Sequence, residues 1–203
     1  MSTHPLWRPY ELVDLEEVAK ARLAGPSRPV EVVPYDAGWP AEFTRLSGIV
    51  RAALGDRVLA LEHVGSTAVP GLAAKPVIDA DLTVADSGDE PAYISALEAA
   101  GFVLRFREPE WEEHRVFALE SPRANLHVWS PGAVEAQRHL AFRDWLRTHE
   151  ADRAAYGALK SELAGRGFAD VMDYNNHKGA LVYDIYERIF RACLLYTSDA
   201  ADE

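Results

Sequence analysis

Hydrophobic positions along this chain alternate between two periods. From Pro40 to Leu54 the residues Phe43, Leu46, Ile49, Val50, Ala53 and Leu54 recur every three or four positions, which predicts an amphipathic helix closed by Gly55-Asp56. Pro40 suits the first turn of such a helix, where its missing N–H costs nothing. Val58 to Val64 reads as a buried strand and Val77 to Val84 as a second, with a Gly/Ser/Pro-rich loop from Gly65 to Pro76 between them. A helix is expected over 91–100, with Tyr93, Leu97 and Ala100 inward, then strands over 102–106, 115–119 and 125–129. Three helices, near 132–147, 150–165 and 170–191, follow.

Ahead of this pattern, Leu12, Leu15, Val18, Ala19 and Leu23 predict one short helix ended by Gly25-Pro26-Ser27. Val30 to Val33 predicts a short edge strand stopped by Pro34. The element order implies an α/β (α+β) architecture, a small mixed sheet with helices on one face and a helical C-terminal extension. The expected organisation is an N-terminal extension over 1–29, a core over 30–147 and C-terminal helices over 148–192 packed on that core. Residues 193–203 resemble a translated sequencing adaptor, so they are expected to be non-native and the natural C-terminus to be missing.

Composition narrows the function classes. The chain has 203 residues, is 48% hydrophobic and carries a formal charge of −11, with its acids dispersed. Such a surface disfavours bulk binding to nucleic acid, which depends on neutralising phosphates, yet leaves room for one anionic ligand in a locally basic pocket. No apolar run approaches the roughly 20 residues that span a bilayer. The N-terminus lacks a signal-peptide core, and Cys193 is the single cysteine, so a cytoplasmic protein without an internal disulfide is expected.

The chemistry concentrates on the stretch 77–84. Side chains alternate across a strand, so Ile78, Ala80, Leu82 and Val84 share a core-facing side and Asp79 and Asp81 share the other. Two residues along a strand span roughly 6.6 Å, so both carboxylates can converge on one cation or bridge two. Hard oxygen donors of this kind suit Mg²⁺ or Mn²⁺, with substrate phosphates completing the shell. Alternation of this kind also describes a solvated strand face, but Asp is a poor strand former and two in one apolar strand ask for a reason. The loop supplies one. Gly65 allows close backbone approach, backbone N–H groups there form a phosphate nest, and Ser66 and Thr67 add hydroxyls.

The segment Glu62 to Asp81, EHVGSTAVPGLAAKPVIDAD, resembles the signature of the GrpB family (UPF0157), a branch of the nucleotidyltransferase superfamily whose domain also occurs fused to dephospho-CoA kinase. Further matches are VPYDAGWPAEF from Val33, Asn125-Leu-His-Val128, Phe142-Arg-Asp-Trp-Leu-Arg147 and Tyr174-Asn-Asn-His-Lys178; the resemblance covers about residues 30 to 191. It implies the polymerase-β-like nucleotidyltransferase fold, with Gly65 and Ser66 on the β/γ-phosphates and Asp79 and Asp81 on Mg²⁺. It also puts Arg143 and Lys178 within family-like motifs. Active members of the wider superfamily carry a third carboxylate on a later strand. Here that strand offers His127, a general base, a metal ligand or a structural histidine, while Glu112, Glu113 and Glu120 are alternative acids.

Lys75 is a further phosphate candidate, Tyr35 and Trp39 are candidates for base stacking, and Tyr156 and Lys160 read as an ordinary helix surface. His63 reads as a buried, hydrogen-bonded residue. Together these residues imply a Mg²⁺- or Mn²⁺-dependent nucleotidyltransferase with an NTP donor and an acceptor of undefined identity. The alternatives are a nucleotide-binding module without turnover or a partner-binding module, with a functional link to dephospho-CoA kinase.

Overall fold

A computed structural model describes residues 4–9, 11–12, 14–24, 30–168 and 171–199. Six helices and five strands are present among them: α1 (Leu15–Ala21), α2 (Trp39–Leu54), β1 (Ala60–Val64), β2 (Ile78–Thr83), α3 (Ile94–Ala99), β3 (Val103–Glu108), β4 (His114–Glu120), β5 (Arg123–Trp129), α4 (Val134–Thr148), α5 (Glu150–Ala164) and α6 (Val171–Asp199). Gly25-Pro26-Ser27 lies outside the described residues.

The strands form one mixed sheet in the order β1-β2-β5-β4-β3. Only the β2–β5 pair is parallel; the other three pairs are antiparallel. The parallel pair is central to the site, because it sets Asp79 opposite Asn125 and Asp81 opposite His127. Register on the other side sets Val64 opposite Asp79 and Glu62 opposite Asp81. Since side chains alternate, all these residues share one sheet face.

The opposite face is the main core. Ile78, Ala80, Leu82, Leu126, Val128 and Phe117 pack there under Leu46, Val50 and Leu54 of α2 and Leu97 of α3. The alternation in β2 is therefore what the sequence predicts, with its apolar half fully buried. A second cluster joins α4, α5 and α6 to the loop after β1 through Val69, Leu72, Leu146, Tyr156, Ile185 and Ile189. The helices thus flank both faces, not one, and a cleft remains between the polar sheet face and α4–α6.

Several expected boundaries shift for local reasons. The edge strand at Val30 to Val33 reduces to a single bridge, Val33 with Ala74, beside Pro34, which has no N–H to continue a ladder. α3 begins at Ile94 because Pro91 sits in a preceding 3-10 turn. β3 runs on to Glu108 and β4 starts at His114, one turn longer than their apolar runs. Glu112 and Glu113 sit in that turn with φ of 54° and 52°, left-handed without a glycine to signal it. α6 continues past residue 191 to Asp199.

Candidate functional site

The turn after β1 is built around Gly65. Its φ of 67° belongs to the left-handed region, and a Cβ there would lie 2.8 Å from Oδ2 of Asp79. Glycine therefore permits the Asp79 carboxylate to rest directly against the turn backbone. Asn125 fixes the other oxygen, donating from Nδ2 to Asp79 Oδ1 at 2.8 Å. Ser66, Thr67 and Ala68 then form a 3-10 turn.

The turn is braced from behind. Thr67 is buried, and its hydroxyl pairs with His63 Nε2 at 3.0 Å, while His63 stacks on Phe43. His63 is buried and hydrogen-bonded, as the sequence reading favours, and burial pushes its imidazole down to about 4, so it is neutral. Arg143 Nη1 donates to His63 O at 3.0 Å and to Glu62 at 2.8 Å. Arg147, one helical turn on, donates twice to Ala68 O at 3.1 and 2.9 Å. Arg143 and Arg147 therefore clamp the backbone on either side of Gly65-Ser66, and neither lines the cleft. The placement of Arg143 on phosphate is corrected to this bracing role, which its i,i+4 spacing with Arg147 makes possible on one helix face.

Three lysines converge on the same turn. Lys75 from the loop, Lys160 from α5 and Lys178 from α6 line the cleft with Gly65, Ser66 and Asp79. Lys160 is 3% exposed. Its Nζ donates to Ser66 Oγ at 2.9 Å and to Ala73 O. Tyrosine rings fill the gaps, with Lys160 4.6 Å from the Tyr156 centroid and Lys178 5.2 Å from that of Tyr174. Burial, then the neighbouring Lys178 and Lys75, pushes Lys160 down to about 6. Burial pushes Lys178 to about 8, and burial with Lys178 does the same to Lys75. Asp79 is the carboxylate that opposes all three shifts. The charged form of each amine is thus disfavoured in this cleft, and a bound anion is what would favour it.

Asp81, two residues along, is in a different state. It is 4% exposed. Trp129 Nε1 donates to its Oδ1 at 3.0 Å and His139 Nδ1 lies 2.9 Å from its Oδ2. Burial opposes a charged His139, but attraction to Asp81 and their hydrogen bond, with Glu135 and Asp79 adding, raise its pKa to about 9. The pair is thus a carboxylate–imidazolium ion pair in which Asp81 is buried and His139 half-buried. His127 sits across from Asp81, pushed down to about 4 by burial and by His114. Its Nδ1 is 3.0 Å from Nε2 of His114, whose Nδ1 is 2.8 Å from Glu108 Oε2.

A family described as GrpB protein matches residues 29–188, four-fifths of the chain. The chain belongs to the GrpB family. It is 44% identical over 175 residues to a UPF0157 protein of Halalkalibacterium halodurans, covering 86% of this chain and 90% of that protein. A UPF0157 protein of Streptomyces coelicolor is 40% identical over 154 residues, covering 76% and 81%. A dephospho-CoA kinase of Mycobacterium tuberculosis is 30% identical over 189 residues, but the match covers 79% of this chain and only 46% of the kinase. The crystal structure of a conserved GrpB protein from Enterococcus faecalis superposes with a TM-score of 0.70 at 27% identity, covering 81% of this chain and 99% of that one. No described helix is long and apolar enough to cross a membrane.

Within this GrpB cleft the sequence-derived candidates divide. Gly65, Ser66, Lys75, Asp79, His127 and Lys178 meet at one place, of about 480 Å³. Thr67 also borders it, with its hydroxyl spent on His63. Asp81 does not border it. Trp39 is buried under the other sheet face with Tyr35 at its edge, which removes both from base stacking in this cleft. Glu112 accepts the Glu135 backbone N–H at the start of α4, and Glu113 pairs with Arg115 at 3.3 Å. Lys160, Tyr156 and His139 are additions. The repeated Tyr-x-x-x-Lys spacing at 156–160 and 174–178 was the available signal for the first two; a lone histidine in α4 offered none.

Donor chemistry fits a hard cation at Asp79, beside positions where phosphate oxygens would complete the shell. Asp81 contributes a second oxygen only if His139 turns away from it. Among the described residues no group of three or more His, Cys, Asp or Glu side chains is gathered to hold a metal on its own.

Proposed function

We propose that this cleft binds the polyphosphate of a nucleoside triphosphate and that the protein transfers its nucleotidyl group to an acceptor. The observation that carries this reading is the convergence of Lys75, Lys160, Lys178 and the Gly65-Ser66 turn on Asp79. One buried and two half-buried lysines around one carboxylate are a poor arrangement for a folded protein alone and a good one for an anion of high charge. A cleft of about 480 Å³ is within the range for a small-molecule site. Mg²⁺ or Mn²⁺, held by Asp79 and the substrate's own oxygens, would neutralise charge on the phosphates. The lysines and the turn hold the polyphosphate in place, and His127 faces the reacting group as its proton acceptor. Kinship with the dephospho-CoA kinases makes a CoA precursor one acceptor to screen.

One observation favours a second reading, binding without turnover: both oxygens of Asp81 are already engaged. Calorimetry with each of the four NTPs and Mg²⁺, paired with pyrophosphate detection, separates the two. Transfer predicts metal-dependent binding that falls at least tenfold in Asp79→Asn, with pyrophosphate released above an Asp79→Asn control. Binding without any pyrophosphate across acceptors supports the second reading. Equal binding by wild type and Asp79→Asn refutes the metal assignment.

A further inference from the structure

We propose that Glu108, His114 and His127 form a hydrogen-bonded relay that fixes one tautomer of His127 and presents its bare Nε2 to the cleft as the base for the attacking group. The relay is assembled by the sheet. Register sets Glu108 at the end of β3 opposite His114 at the start of β4, and β4 in turn sets Val116 opposite His127. His114 thus bridges from one outer strand to the strand beside the Asp79–Asp81 pair.

Donor roles follow from the ends of the relay. A carboxylate only accepts, so the 2.8 Å contact requires Nδ1–H on His114. Burial disfavours a second proton on that ring, leaving its Nε2 as an acceptor. The 3.0 Å contact to His127 then requires Nδ1–H on His127. Its Nε2 is left with a lone pair, and no hydrogen bond from the described residues occupies it. The rings are locked by stacking, His114 on Trp129 at 4.0 Å and 14°, with the Trp111 edge 5.0 Å away.

This supplies what β5 lacks, a carboxylate on the strand, by reaching one through an imidazole. In the transfer step the acceptor oxygen or nitrogen forms a bond to the α-phosphorus. Its proton passes to His127 Nε2, and pyrophosphate leaves with the electron pair of the broken P–O bond. As that proton arrives, positive charge develops on the His127 ring; its Nδ1–H stays hydrogen-bonded to His114 Nε2, and the Glu108 carboxylate, through His114, offsets that charge. Glu108 and His114 are positioning residues, since neither touches the reacting atoms. The role of base rests on the transfer reading above; the tautomer does not.

The test is long-range ¹H–¹⁵N correlation on the full chain with ¹⁵N-labelled histidine at neutral pH, the His127 signals assigned by loss in His127→Gln. The expected result is a protonated Nδ1 and an unprotonated Nε2. His114→Phe keeps the stacked ring but removes the acceptor, and should move His127 to mixed tautomers with Nε2–H predominating. Glu108→Leu should give the same shift from the far end, without a change of fold. An Nε2–H tautomer in wild type, or an unchanged tautomer in both variants, overturns the relay. The expected tautomer with no pyrophosphate from any NTP and acceptor leaves the relay standing and defeats the transfer reading instead.

Discussion

Replacing His139 by alanine is expected to lower the melting temperature by roughly 10 °C, because it strands a buried carboxylate. Asp81 has one neutral partner, Trp129, and one charged partner, His139. Removing one member of a buried pair costs about 3–5 kcal/mol, and each kcal/mol moves the midpoint of a domain this size by about 2–4 °C. Adding Asp81→Asn should recover most of the loss, since the stranded charge is then gone. The pH dependence has a definite sign. His139 has its folded pKa raised from 6.5 to about 9, so its contribution is complete below about pH 6.5 and is lost as pH rises through about 9. Asp81 is held below its ordinary 3.8, because His139's attraction and hydrogen bond outweigh burial; its contribution is present above that value and lost on acidification. Thermal melts of wild type and both variants from pH 2 to pH 10 check this. An alanine variant with an unshifted melt would show that the ion pair contributes nothing.

Exchanging Lys160 for methionine should have effects of opposite sign on stability and on binding. Lys160 is buried with a pKa near 6, so at neutral pH the folded state holds it mostly uncharged while the unfolded state does not. Stability then rises with pH between about 6 and the ordinary lysine value, and the folded protein carries a penalty at pH 7. Methionine fills a similar volume without that penalty. It forfeits hydrogen bonds to Ser66 and Ala73, worth about 1–3 kcal/mol, less than the relief. The ligand-free variant should therefore melt higher than wild type. Its affinity for Mg²⁺ with an NTP should fall about 10- to 100-fold, the loss of one charged hydrogen bond. Because a bound polyphosphate raises the pKa of the lysines, wild type should take up protons on binding near pH 7.5. Calorimetry in two buffers of different ionisation enthalpy reads that uptake, which should shrink in Lys160→Met. Lower stability, or unaltered affinity, would refute the anion-site assignment of Lys160.

The fold was legible where a single period governed a segment. β2 displays its two faces in sequence because Ile78, Ala80 and Leu82 alternate with Asp79 and Asp81, and the sheet buries them as that alternation requires. Gly65, Ser66 and Asp79 were legible because a turn glycine and a strand acid carry their meaning locally, and the parallel β2–β5 pairing brings Asn125 to the same place. The lysine site was only half legible. Lys160 looks like a solvated helix residue, and only the docking of α5 on the turn makes it a buried donor. Asp81 carried the opposite lesson. Its place on the strand was clear, but its occupation by His139 depends on α4 crossing the sheet face, which no local pattern encodes. Glu108 and His114 were hidden because the hairpin between them turns through two left-handed glutamates rather than a glycine or asparagine.

The most direct test of the phosphate site is a crystal structure with a non-hydrolysable nucleoside triphosphate and Mn²⁺. The account predicts phosphates on the Gly65-Ser66 backbone within hydrogen-bond reach of Lys160 and Lys178, with an anomalous manganese peak against Asp79. Phosphates bound elsewhere, with the turn and the lysines untouched, would contradict it.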